Sequence, residues 1–301
     1  MTDLAIETKS LTKEFNGIRA VDNLDMMVPQ GAVFGFLGEN GAGKTTTIRM
    51  LMGHLHPTAG EVYTLGSDPR THGEGTRQRV AYVSENMNLP GWMTPESACG
   101  FCSALYPAWN RKLEQALLDD FELRNGKKYH VLSKGQKRRL CILLALCQTP
   151  ELLVMDEPAS GLDALARREF LERVLDVACS EGGTVFFSSH ILSDMERVVD
   201  RVAIISKGRL KLEGELDSLK QSARKLHLPV AVSIESLGEY FKVASYATTQ
   251  SDTTAVVLDF DESRFRFFCE KEGCAETARE WSLNLEDLFV EVATNEKSKK
   301  E

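Results

Sequence analysis

No apolar run in the 301-residue chain reaches the about 20 residues that a helix needs to cross a membrane. The chain is therefore expected to carry no membrane span. Met1 to Lys9 mixes acids with apolar residues and lacks the apolar core of a signal peptide, so a cytoplasmic chain is expected. Positive charge is also short. Lys and Arg number 36 against 44 Asp and Glu, a formal net charge of −8, and the pI is 5.4. That balance argues against nucleic acid as the main partner. Two basic clusters, Lys137-Arg138-Arg139 and Lys297, Lys299 and Lys300, lie in a helical pattern and in a tail. Both read as solvated surface. Cysteines number 7, an odd count that suits a reducing compartment. Cys99 and Cys102 form a lone C-x-x-C. Cys269 and Cys274 lie far away with no nearby His, so buried thiols are expected rather than a metal site. No internal repeat and no sustained heptad occurs.

What is present is organised around Gly38-Glu39-Asn40-Gly41-Ala42-Gly43-Lys44-Thr45, a G-x-x-x-x-G-K-T pattern. The apolar run Ala32 to Leu37 precedes it, and a Pro- and Gly-free stretch from Thr45 to Met52 follows. Strand, glycine-rich loop and helix are the context of a phosphate-binding loop. Glycines let main-chain N–H groups turn inward, and the helix N-terminus adds positive potential. Lys44 is expected to reach the β- and γ-phosphates, and the Thr45 hydroxyl to ligate Mg²⁺.

Around this loop the chain reads as alternating elements. Residues 4 to 28 read as short β segments. Glu61 to Gly66 and Val80 to Val83 read as strands, the second ending at Ser84-Glu85. Residues 86 to 150 form a helical insert, with Thr94-Pro95 as a helix start and helices over Ser97–Tyr106, Lys112–Phe121 and Gln136–Cys147. Leu152 to Met155 is a buried strand that ends in Asp156-Glu157-Pro158. A helix over Ala164–Cys179 follows, then a strand from Thr184 to Phe187 that ends in Ser188-Ser189-His190. This repetition implies a mostly parallel sheet with helices on both faces. After Leu228 the pattern changes. Val230–Ile234, Ala255–Asp259 and Phe265–Cys269 read as strands, and Ser236–Lys242, Ala275–Trp281 and Leu283–Val292 as helices. The expected domains are 1–227, with the helical subdomain at about 86–150, and a small α+β appendage at 228–295. Residues 296–301 form a charged tail expected to be disordered.

In an open α/β sheet, ligands bind at the carboxyl ends of the strands. Asp156 and Glu157 could thus face the nucleotide held by the glycine-rich loop. Asp156 would hold Mg²⁺, and Glu157 would orient or deprotonate the attacking water. His190 closes another strand and either contacts the γ-phosphate or is an inert loop residue. Phe15, beside Asn16-Gly17, either stacks on adenine or fills a hairpin core.

The order and spacing of these motifs resemble the ATP-binding subunit of an ABC transporter, over about residues 3 to 225. Gly38–Thr45 matches Walker A. Glu85 falls at the Q-loop. Leu132-Ser133-Lys134-Gly135-Gln136 matches the signature LSGGQ. Leu152–Glu157 matches Walker B, Ser160-Gly161-Leu162-Asp163 the D-loop, His190 the switch histidine, and Phe15 the adenine-stacking aromatic. The resemblance implies a P-loop NTPase (RecA-like) core with an antiparallel β subdomain and a helical signature subdomain. It implies ATP contacts from Phe15 and from Gly38, Glu39, Asn40, Gly41, Ala42, Gly43, Lys44, Thr45 and Thr46. It implies Mg²⁺ at Thr45, Glu85 and Asp156, and chemistry by Glu157, His190 and Lys44.

A head-to-tail dimer with a second ATP-binding subunit is implied, identical or different. Each ATP would lie between the Walker motifs of one protomer and Ser133, Lys134, Gly135 and Gln136 of the other. ATP hydrolysis would drive a separate permease subunit, placing the chain on the inner face of the membrane. Ser282-Leu283-Asn284-Leu285-Glu286-Asp287-Leu288-Phe289 resembles the C-terminal motif of ABC-2-type exporters. Glu85 in place of Gln adds a charge near the metal. Lys134 in place of Gly either faces the phosphate or points to solvent. The competing readings are a soluble ABC-type ATPase without a transport role and a scaffold that binds ATP without turnover. One motif set without heptads disfavours the first, and the presence of Glu157 and His190 disfavours the second.

Overall fold

Continuous apolar runs become the centre of a parallel sheet, because strands covered on both faces need no polar alternation. The computed structural model describes residues 3–124, 126–160, 162–180 and 182–294. Its first two strands, β1 (Leu4–Phe15) and β2 (Ile18–Pro29), form a hairpin. The turn at Asn16 and Gly17 has φ of 49° and 82°, the positive pair that a two-residue hairpin turn requires. These are two long strands where short segments are expected. Ser10 and Asn23 adopt positive φ where the register shifts, and such bulges break the period-two signal.

Next come β3 (Val33–Leu37), α1 (Lys44–Leu51), β4 (Ala59–Thr64), α2 (Glu74–Gln78) and β5 (Val80–Val83). The helical insert holds α3 (Pro95–Leu105), α4 (Arg111–Asp120) and α5 (Lys134–Leu146). Thr94, Asn110 and Ser133 cap them by accepting from the main-chain N–H of Ser97, Leu113 and Gln136. Every residue from Leu140 to Leu146 is buried, as befits a helix enclosed on all sides.

The core resumes with β6 (Leu152–Asp156), α6 (Ala164–Cys179), β7 (Thr184–Ser189), α7 (Leu192–Met195), β8 (Arg201–Ser206) and β9 (Arg209–Glu215). Two sheets result. One is three-stranded and antiparallel, ordered β2-β1-β4; the other is six-stranded, ordered β5-β6-β7-β3-β8-β9. Strands β5, β6, β7, β3 and β8 run parallel, with Val83 beside Met155, Asp156 beside Ser188 and Leu37 beside Ser189. That register brings the ends of four strands to one edge. Leu11, Val21, Leu24 and Met26 share one core cluster with Phe34, Phe36, Ile48 and Phe186, so α1 is anchored between the two sheets.

The chain divides into two compact units at Leu210 and Lys211, within β9, earlier than the expected boundary. The second unit contains α8 (Leu216–Ser222), β10 (Arg224–Leu228), α9 (Ile234–Gly238), β11 (Val243–Thr248), β12 (Thr253–Val257), α10 (Glu262–Lys271), β13 (Arg279–Ser282) and α11 (Leu285–Thr294). Strand β10 pairs with both β12 and β13, which places it in this unit. The antiparallel order β11-β12-β10-β13 with helices α9 and α10 is a βαββαβ, ferredoxin-like arrangement. Here three expectations fail. Ile234 starts a helix rather than ending a strand, Phe265–Cys269 lies inside α10, and Arg279–Ser282 is a strand. The Phe-rich run has strand-like composition. Yet Asp261 caps α10, and Phe268 and Cys269 pack with Phe265 on one helical face against Phe241. Among the described residues, no helix is long and apolar enough to cross a membrane.

Candidate nucleotide site

The loop between β3 and α1 is shaped by close main-chain approach. Gly43 has φ of +110°, and a Cβ there would stand 2.5 Å from the Ala20 carbonyl; one on Gly38 would stand 2.7 Å from the Ile205 carbonyl. The loop rests on β2 and the turn after β8: Gly208 N–H donates to Ala42 O at 2.9 Å, and Asp22 N–H to Gly208 O at 2.8 Å. Asp22 is buried and accepts from Arg209 at 2.7 Å and Arg19 at 2.8 Å. These two guanidinium groups hold its carboxyl below the usual carboxylate range. No side chain caps α1, so its first turn presents main-chain N–H groups to an anion.

Lys44 is buried. Its ammonium donates to Gly38 O at 2.7 Å and Glu39 O at 3.2 Å, and lies 3.3 Å from Glu157 Oε1. Across the strand ends, Ser188 Oγ donates to Asp156 Oδ1 at 2.6 Å and accepts from Glu157 N–H at 3.0 Å. His190 Nδ1 lies 2.8 Å from Glu157 Oε2. Glu157 has φ of 49°, a left-handed conformation that costs a non-glycine residue about 1–2 kcal/mol and is held here by bonds on both sides of its peptide.

A cavity of about 390 Å³ is lined by Lys44, Thr45, Glu85, Glu157, Ser160 and His190, among others. A second of about 520 Å³ shares Thr45 and Glu85 and reaches Asp156, Arg49 and Tyr82. Burial and the charge of Asp156 push the Tyr82 phenol up to about 12. Two buried carboxylate oxygens, Asp156 Oδ2 and Glu157 Oε1, lack a hydrogen-bond partner. Glu157 Oε1 is ion-paired with Lys44, which leaves Asp156 Oδ2 as the orphaned acceptor; a free carboxylate oxygen beside the Thr45 hydroxyl and the Glu85 carboxylate is hard-oxygen chemistry that suits Mg²⁺.

The other expected site residues fall in three groups. Phe15 stands at the hairpin tip and is 45% exposed, so it fills no core. The Lys13 ammonium lies 5.1 Å from its ring centroid. Ser133 and Gln136 form a reciprocal cap at the start of α5, at 3.2 and 3.1 Å. Lys134 is exposed. None of Ser133, Lys134, Gly135 or Gln136 lines the cavity that holds Lys44. Of the D-loop, Ser160 lines it and Asp163 caps α6 through Ala166 N–H at 3.0 Å. Leu162 lies beside Gly135, whose Cβ would stand 3.3 Å from Leu162 Cδ2. Gly161 lies outside the described residues, as does the expected tail.

Two residues were missed by motif reasoning. Ser188 is a buried hydroxyl at the end of an otherwise apolar run, and that contrast is its signal. Arg138 is the second, and it corrects the reading of Lys137-Arg138-Arg139 as solvated surface. Its guanidinium is turned inward onto main-chain carbonyls. It sits three residues before buried Cys141 and seven before buried Ala145, a helical spacing that marks the inner face. Burial pushes its pKa below the ordinary arginine value, against the nearby charges of Asp156 and Glu85. Cys99 and Cys141 are buried, which pushes their thiols up to about 12 and about 11. A thiol so raised is not a thiolate near neutral pH.

Replacing Ser188 with Ala removes a donor to Asp156 and an acceptor for Glu157 N–H. Each buried group left unpaired costs about 1–3 kcal/mol. We expect a stability loss of about 2–4 kcal/mol in urea unfolding; a loss within error of zero would show that water replaces the hydroxyl.

The family model described as ABC transporter matches residues 21–160. The bacitracin transport ATP-binding protein BcrA of Bacillus licheniformis is 36% identical over 222 residues, covering 73% of this chain and 72% of its own. The daunorubicin/doxorubicin resistance ATP-binding protein DrrA of Streptomyces peucetius is 36% identical over 303 residues, covering 95% and 91%. Among solved structures, an ATP-binding subunit of an ABC transporter superposes with a TM-score of 0.64 at 28% identity, covering 72% of this chain and 92% of that one.

Proposed function

The chain belongs to the ABC transporter family of ATP-binding subunits, and we propose that it powers an exporter by ATP-driven closure of a dimer on a separate membrane subunit. One observation carries the reading: Lys44, Glu157 and His190 meet at one cavity while the signature residues lie elsewhere. A protomer with one half of a phosphate site on each of two surfaces is completed by a second subunit.

In this reading, Gly38 to Thr46 wrap the phosphates with main-chain N–H groups, and Lys44 supplies the cation for the β- and γ-phosphates. Glu157 accepts the proton of the attacking water. His190 holds the Glu157 carboxylate through Nδ1 and reports on the γ-phosphate. Mg²⁺ neutralises charge on the phosphate oxygens when bound, and Thr45, Asp156 and Glu85 would hold it. Phe15 offers its exposed ring to adenine. Ser133 and Gly135 of the second protomer present a hydroxyl, a glycine main chain and a helix N-terminus, all good anion ligands. Ser160 lines the same cavity, and Asp163 caps the helix that follows it. The second subunit is a copy or a paralogue, and the pair sits on the cytoplasmic side of a permease. DrrA and BcrA, named for antibiotic resistance and transport, make an amphiphilic toxic compound the class of cargo to test first.

The test is purification from membranes in mild detergent. A polytopic protein is expected to co-purify in stoichiometric amount and to stimulate ATP turnover. Recovery of the chain without any such partner would count against the transport role.

A further inference from the structure

Arg138 lies about one and a half turns after Ser133 along α5. Its hydrogen bonds all go to main-chain carbonyls. Nε donates to Pro158 O at 2.9 Å, Nη1 to Ser84 O at 2.6 Å and Glu85 O at 3.4 Å, and Nη2 to Asp156 O at 2.5 Å and Glu157 O at 2.7 Å. Ser84 and Glu85 follow β5. Asp156 ends β6, with Glu157 and Pro158 next. One side chain therefore ties the ends of two neighbouring strands to a helix of the insert. A planar fork of five N–H donors can collect several main-chain carbonyls at once.

These carbonyls belong to the peptide units that carry Glu85, Asp156 and Glu157. Any shift of that main chain changes the seat of Arg138, and so the tilt of α5. The reverse also holds. We infer that Arg138 is a positioning residue that locks the start of α5, with Ser133 and Gly135, to the main chain bearing Asp156 and Glu157. Its functional consequence rests on the reading above. The signature that a protomer offers to its partner's phosphate is set by the state of its own strand ends, so the two sites of a dimer are coupled through Arg138.

Lysine keeps the charge but offers one nitrogen in place of three, and it cannot span Pro158, Ser84 and Asp156 together. Arg138→Lys guards against simple misfolding, and Arg138→Gln is the second variant. Hydrogen exchange on the isolated nucleotide-free subunit tests the lock itself. Amides of residues 84–87 and 132–137 are expected to exchange at least ~10-fold faster in both variants, with β3 and α1 unchanged. Unchanged exchange in those segments overturns the inference, whether or not the chain hydrolyses ATP.

Titration with a fluorescent ATP analogue and steady-state turnover test the coupling. Nucleotide affinity is expected to stay within ~3-fold while kcat falls by ~10²-fold, the cost of about 1 Å of misplacement, and any Hill coefficient above one drops to one. Equal losses in affinity and kcat would place Arg138 in its own nucleotide site and overturn the inference. A wild-type chain that neither dimerises with ATP nor hydrolyses it would instead overturn the transport reading, and exchange would still decide on the lock.

Discussion

Glu157→Gln is expected to lower ATP turnover by ~10²–10⁴-fold, the usual contribution of a positioned general base. The substitution is nearly isosteric. Its carbonyl oxygen can still accept from His190 Nδ1, now at 2.8 Å from Oε2, and the positive-φ main chain keeps its bonds to Ser188 Oγ. What is lost is the capacity to take a proton. Nucleotide affinity is expected to change little, because the glycine-rich loop keeps its main chain and Lys44 keeps its bonds to Gly38 O and Glu39 O. ATP-bound dimers should therefore accumulate and be visible by light scattering, with phosphate release almost abolished. Unchanged hydrolysis would remove Glu157 from the role of base. The neutral side chain also leaves Lys44 with its two carbonyl acceptors and without its carboxylate at 3.3 Å.

The second large effect is expected from Lys44→Ala. Lys44 is the chain's buried cation in the loop, and it is held among Gly38 O, Glu39 O and Glu157 Oε1. Truncating one partner of a desolvated charge pair costs about 2–5 kcal/mol of binding. Calorimetric titration with ATP should show an affinity loss of that size, and turnover should vanish with it. Adenosine binding, which involves no phosphate, should stay near the wild-type value. A variant that binds ATP as tightly as wild type would show that main-chain N–H groups alone hold the phosphates.

Much of the site could be read before any coordinates, for a physical reason. Residues 38–45 and 156–157 combine a chemical requirement with a strand end, and both leave marks at short range. Parallel-strand burial makes each flanking run wholly apolar, so Asp156 stands out against Leu152 to Met155. Ser188 and Arg138 left weaker marks. Ser188 matters only because Asp156 lies beside it in the neighbouring strand, and that pairing is set by register across more than thirty residues of chain. Arg138 sits among basic neighbours, and only its helical phase points it inward. The second unit is the least legible in the sequence. Its aromatic run 265–269 favours strand by composition, and the Asp261 cap with packing against Phe241 makes it helix. The double strand β1–β2 reads as short segments in the sequence because its bulges interrupt alternation.

Asp156 and Ser188 face each other as neighbours in adjoining strands. Their spacing is counted in whole peptide steps of about 3.3 Å, and a slip of one residue would turn every β6 side chain to the opposite face. The Asp156 carboxylate thus has two settings only, seated or absent. Loop substitutions can tune what surrounds it, but gradual drift of its position is barred by the sheet.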